Sequence, residues 1–148
     1  MRTITEMIDV DVPVRAAYEQ WAQVESYPWF MENVAEVRRL DDHHMHWVTL
    51  MGPTTREFDA VITEAPQDAR IEWSSIEGPE HAAVISFRSL SEERTRITAR
   101  FNINPDGFVE KVADRLGLLA QRLRTDMRRF KAMVEKQHRE QLYARHSA

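Results

Sequence analysis

Eight apolar residues in the last third of the chain, Phe108, Val112, Leu116, Leu119, Leu123, Met127, Phe130 and Val134, recur at steps of three and four. At ~100° per residue they fall on one arc, the mark of a long amphipathic helix. The spacing predicts a helix over 107–139, with Asn104 or Asp106 as N-cap. Gly117 lies inside it, a position that costs about 1 kcal/mol against alanine and admits a kink or a close approach. The segment 141–148 is polar and is expected to fray as a C-terminal tail. Nothing earlier in the chain offers a comparable helix to cover the apolar stripe, so the stripe must lie on a sheet.

That sheet is written upstream. From Ile4 to Val12 the even positions Ile4, Ile8, Val10 and Val12 are apolar while the odd ones are mostly polar, a period-two pattern that predicts a half-buried strand. Pro13 stops it. Proline before Val14, Ala17, Tyr18 and Trp21 predicts a short helix, and Tyr27-Pro28-Trp29-Phe30-Met31 a further helical turn or tight aromatic loop. Between Val34 and Ile103, turn signals at Asp41-Asp42, Gly52-Pro53, Pro66-Gln67-Asp68, Gly78-Pro79 and Ser91-Glu92-Glu93 divide the chain into six more strands. Connections this short predict antiparallel pairing in a meander with one apolar face.

Composition agrees with a single domain spanning 1–140. The 148 residues are 43% hydrophobic and 30% charged, ordinary values for a globular chain that can bury a core without staples. A net charge of -4 gives no general reason to bind nucleic acid or an anionic membrane, and no run of about 18 apolar residues predicts stable membrane insertion. The absence of cysteine removes disulfides, thiol chemistry and cysteine metal sites. With no secretory leader pattern at Met1-Arg2-Thr3-Ile4, the expected location is cytoplasmic.

Strand, two short helices, six strands, long helix: this order resembles the α+β helix-grip fold of the Bet v 1, START and polyketide cyclase superfamily (SRPBCC), a curved seven-stranded antiparallel sheet around a C-terminal helix. The residues that carry the resemblance are Val10-Asp11-Val12-Pro13-Val14, Trp21, Tyr27-Pro28-Trp29-Phe30-Met31, the alternation from Val34 to Arg38, and the helix from Gly107-Phe108-Val109 to Arg129-Phe130-Lys131. The nearest group resembled is the bacterial polyketide cyclase/dehydrase type. The resemblance implies a pocket for a hydrophobic small molecule, polyketide, lipid or quinone-like, between sheet and helix. Its expected walls are Ile8, Val10, Met45, Trp47, Met51, Phe58, Ala60, Ile62, Ile71, Trp73, Ile85, Phe87, Ala99 and Phe101 from strands, with Leu116, Leu119, Leu123 and Met127 from the helix.

Candidate chemistry is sparse. Glu6, Thr49 and Ser75 share the phase of inward apolar neighbours, and a buried carboxylate would have a raised pKa suited to acid–base work. Tyr27 and Asp126 complete the weak catalytic candidates, although Arg122 and Arg129 stand at helical spacing from Asp126 and predict ordinary ion pairs. His43, His44 and His46 lack a third convergent ligand, so no metal is expected, and His81 has no evident partner. The resemblance to aromatase/cyclases implies a tyrosine, a serine and an arginine in the cavity, where this chain has Val34, Ala60 and Ile62. Without those donors nothing familiar stabilises an enolate. No Gly-x-Ser-x-Gly, Gly-x-Gly-x-x-Gly or His-Glu-x-x-His motif occurs and no cofactor is expected. The leading expectation is a carrier, chaperone or sensor of a hydrophobic molecule; the alternative is a polyketide cyclase or dehydratase with non-standard catalytic residues.

Overall fold

The computed structural model describes residues 2–51, 53–76, 81–103 and 112–147, and the side chains of these apart from 2, 51, 54, 103, 112–119, 146 and 147. Seven strands form one antiparallel sheet: β1 (Arg2–Val10), β2 (Val34–Arg39), β3 (His44–Met51), β4 (Thr54–Glu64), β5 (Arg70–Ser75), β6 (His81–Ser91) and β7 (Arg94–Ile103). Their spatial order is β1-β7-β6-β5-β4-β3-β2. Six strands thus follow as a meander, and β1 closes on β7 with Ile4 opposite Phe101 and Glu6 opposite Ala99. Register shifts at Val34/Glu36, Ile62/Glu64 and Ser89/Ser91 are bulges that bend the sheet. The fold is the α+β helix-grip arrangement, with a curved sheet and a long C-terminal helix.

Alternation sets the two faces as the sequence implies, but the first strand begins and ends two residues early. Val12 lies beyond it, fully buried, and its carbonyl accepts a hydrogen bond from the buried Thr95 hydroxyl at 2.8 Å. That bond holds the chain as it leaves the sheet for α1 (Val14–Ala22) and a 3-10 helix (Val24–Trp29).

Helix α2 (Val112–Ser147) buries Leu123, Met127, Phe130 and Val134 along one stripe. Helix α2 runs past the expected end at Arg139 to Ser147, with no glycine or proline after Gly117 to stop it. The predicted N-cap at Asn104 or Asp106 lies outside the described residues. Two polar clamps dock α2 on the sheet edge: Lys131 Nζ donates to the Asp9 carbonyl at 2.7 Å, and the Asp11 N–H donates to Glu135 at 2.7 Å.

Between α2, the short helices and the sheet sits an aromatic cluster. Trp21 meets Tyr27, Phe30 and Phe130 with ring centroids 5.4, 5.1 and 5.0 Å apart, and Tyr27 meets Trp47 at 5.5 Å. Edge-to-face pairs of this kind add about 0.5–1.5 kcal/mol each beyond the area they bury. The cluster fills the middle of the concave face.

Candidate functional site

Two concavities contain expected wall residues. The first is a pocket of about 140 Å³ between sheet and α2, walled by Ile4, Met31, Val34, Trp47, Phe101 and Leu123, with Asn33, Arg122 and Asp126 on its polar side. Trp47 contributes a broad apolar face, extended by near-parallel stacking on Phe58 at 5.8 Å and by contact with Trp73 at 4.7 Å. Its indole N–H is buried without a partner among the described residues.

The second cavity, about 320 Å³, lies under α1 at the opposite end of the strands, with Tyr18, Val24, Arg39, Ile62, Thr63 and Ile71 in its wall. Ile62 and Ile71 therefore line a different space from Trp47 and Phe101, at the end of β4 where its register on β5 shifts between Ile62 and Glu64. Of the other expected wall residues, Met45, Phe58, Ala60, Trp73, Ile85, Phe87, Ala99 and Met127 are buried in the core around the two spaces, and Ile8 is half-buried against it. The side chains of Met51, Leu116 and Leu119 lie outside the described residues, as does any kink at Gly117's side of the interface.

The candidate acid–base residues separate sharply. Glu6 reaches Arg124 at 3.2 Å across the β1–α2 seam, an ion pair at the margin. Tyr27 is fully buried, and its hydroxyl donates to the Trp21 carbonyl at 2.8 Å. Burial pushes its phenol far above the usual range. Thr49 donates to the Arg56 carbonyl at 3.3 Å, and the Ser75 hydroxyl oxygen accepts the His81 N–H at 3.0 Å.

Asp126 is the exception. The helical ion pairs expected for it do not form among the described residues. Arg122 Nη1 donates instead to Asn33 Oδ1 at 2.9 Å, and Arg129 turns to Glu32 at 3.8 Å. Asp126 is 9% exposed, and the one hydrogen bond that it accepts, from the Glu32 N–H, is long at 3.3 Å. Desolvation outweighs that bond and the two nearby arginines, raising its pKa to about 6.

His81 also departs from expectation. It opens β6 on the concave phase of Ala83 and Ile85, and its ring stacks on Phe58 at 5.3 Å. Burial, with Arg56 next, lowers its pKa. The partner stands two strands away, which no local pattern could reveal. His44 and His46 lie on the opposite phase of β3 to Trp47: His44 contacts Asp41 at 2.9 Å, and His46 lies between Asp59 at 2.6 Å and Glu57 at 3.0 Å. These carboxylates sit on opposite ring nitrogens of His46 and do not converge on a common point. No metal-holding group of three occurs among the described residues.

This geometry has relatives. The family described as polyketide cyclase/dehydrase and lipid transport matches residues 10–132. An uncharacterized 17.2 kDa protein of Streptomyces lincolnensis is 38% identical over 141 residues, 95% of this chain and 94% of that protein. Among solved structures, the Zhui aromatase/cyclase of Streptomyces sp. R1128 superposes with a TM-score of 0.75 at 13% identity, covering 91% of this chain and 94% of that one. A Deinococcus radiodurans protein gives 0.73 at 22% identity, with 90% and 98% covered. A START superfamily protein of Mycobacterium smegmatis gives 0.66 at 13%, with 82% and 94% covered. At these identities the structures speak for the fold alone. Among the described residues, no helix is long and apolar enough to cross a membrane.

Proposed function

The chain belongs to the polyketide cyclase/dehydrase and lipid transport family, and on that premise we propose that it binds a hydrophobic small molecule between sheet and α2, as a carrier, chaperone or sensor. The observation that carries this reading is the apolar pocket walled by Ile4, Val34, Trp47, Phe101 and Leu123. Apolar concavities with a few polar groups at one side suit ligands of this class. Val34 occupies the wall where an aromatase/cyclase would be expected to place a tyrosine, and Ala60 is buried without a donor to offer. A site of this composition favours holding a molecule over polarising one.

Native mass spectrometry of the purified protein, with extraction and a panel of quinones, aromatic polyketides and fatty acids, tests the reading. A saturable ligand is expected, and Leu123→Trp, which fills the pocket from the helix side, should weaken it at least tenfold. Unchanged affinity in that variant would place the ligand elsewhere.

One observation favours a second reading, a cyclase or dehydratase. Asp126 lines the pocket and His81 lies on the concave phase of β6, and burial moves the carboxyl up to about 6 and the imidazole down. Titratable groups perturbed by burial are the kind that serve acid–base chemistry. Turnover of a poly-β-ketone thioester mimic that vanishes in both His81→Phe and Asp126→Asn would favour this enzyme over a carrier.

A further inference from the structure

Resting on the pocket reading above, we infer that Asp126 couples ligand capture to proton uptake, so that the pocket retains an uncharged apolar molecule in mildly acidic conditions and releases it as the pH rises. The inference starts from geometry. Asp126 lines the same wall as Leu123 and Trp47, and it is the buried carboxylate there. One of its oxygens accepts the long bond from the Glu32 N–H, and the other has no partner among the described residues. Asp126 lines the pocket and keeps 9% exposure, so an apolar body seated against Leu123 and Phe101 buries it further and supplies no counter-charge.

The surrounding charges do not offset the loss. From the segment before β2, Glu32 adds a like charge and is itself held by Arg129 at 3.8 Å. On α2, Arg129 and Arg122 lie near enough to favour the carboxylate, but each is turned to another partner, Glu32 and Asn33. On β1, Glu6 is paired with Arg124. The pocket-lining residues of β2, β3 and β7, namely Val34, Trp47 and Phe101, bring no charge. Desolvation already raises the Asp126 pKa to about 6, and a further burial of the charged form raises it again.

Linkage fixes the sign. A carboxyl whose pKa is higher in the complex than in the free protein takes up a proton on binding. Affinity is then flat below about pH 6, falls about tenfold per pH unit above it, and levels off once the bound carboxyl also ionises.

Isothermal titration with 2-methyl-1,4-naphthoquinone, an apolar probe with no group that titrates near neutrality, reads this directly. Run at pH 6.5 in two buffers of different ionisation enthalpy, it should report uptake of about half a proton or more per ligand. Between pH 6 and 7.5 the dissociation constant should rise about tenfold in the native protein, and it should stay flat in Asp126→Asn, whose amide keeps the shape without the charge. The two-buffer measurement uses the unmodified chain and does not depend on the variant's folding. Binding that Leu123→Trp weakens but that shows no proton uptake and no pH dependence overturns the inference and leaves the pocket reading standing. Absence of saturable binding at every pH, in native protein and Asp126→Asn alike, overturns both.

Discussion

Replacing Tyr27 with phenylalanine removes one oxygen from the centre of the protein and separates a structural role for this tyrosine from a catalytic one. The ring is fully buried, and its hydroxyl is 2.8 Å from the Trp21 carbonyl. That carbonyl belongs to the last turn of α1, where helix geometry leaves acceptors without main-chain donors. Gln23 N–H bonds the carbonyls of Glu19 and Gln20, not that of Trp21. Deleting the hydroxyl therefore forfeits a bond worth about 1 kcal/mol and leaves a buried acceptor unsatisfied, for a total of about 1.5–3 kcal/mol. With urea m-values of about 1–3 kcal/mol/M, the unfolding midpoint should drop by about 1 M. Burial raises the phenol's pKa in the folded state, so the native tyrosine's stabilisation is complete below about pH 10 and is lost as the pH climbs past it. Tyr27→Phe should accordingly show less alkaline destabilisation than the parent. Urea unfolding at pH 7 and pH 10.5 checks both statements. A variant as stable as the parent that fails to bind ligand would refute the reasoning, because the hydroxyl would then be serving the pocket.

Two more expectations follow from buried groups. Asp126 has a folded pKa of about 6, above its unfolded value near 3.8, so the stability it permits is full below pH 3.8 and lost between there and 6; Asp126→Asn should thus stabilise the fold by about 3 kcal/mol at pH 7.5 and far less at pH 4, and an equal gain at both pH values in urea titrations would contradict this. Phe130→Ala opens a hole beneath Trp21 and Phe30, both in ring contact with it, and should cost about 3–5 kcal/mol, seen by calorimetry as a melting temperature lower by about 10 °C.

The sequence carried the architecture in its periodicities. Leu123, Met127, Phe130 and Val134 repeat at helical spacing and are buried together; the alternation of Ile97, Ala99 and Phe101 likewise sets one face of β7. Boundaries were less legible, since the same alternation continues through Val12 although a side-chain bond from Thr95, 83 residues away, takes over there. The site was legible only as a list of apolar positions. Which of them face which space depends on how the strands pair and where they shift register, as β4 does between Ile62 and Glu64, and local spacing does not encode that. Asp126 looked ordinary because its helix neighbours Arg122 and Arg129 have the right spacing to pair with it. The residues that draw them away, Glu32 and Asn33, come from about 90 positions upstream. His81 was missed for the same reason, its stacking partner being on a strand that is not its neighbour.

The pairing of β1 with β7 sets the order in which this protein can be made. Arg2 is opposite Ile103 and Val10 opposite Thr95, so β1 waits for the much later β7 before its ladder can form. The meander from β2 to β7 can zip locally, each strand finding a neighbour just synthesised, while β1 remains a half-apolar edge in search of a partner. Closure of such distant segments is slow because loop entropy is spent before any contact repays it. Helix α2 docks partly on β1 through Lys131 and Glu135, so the final helix also has its complete seat only after that closure. The pocket is thus among the last features to exist on the folding pathway, and a molecule able to occupy it would act on the end of folding, favouring the closed sheet over its open precursor.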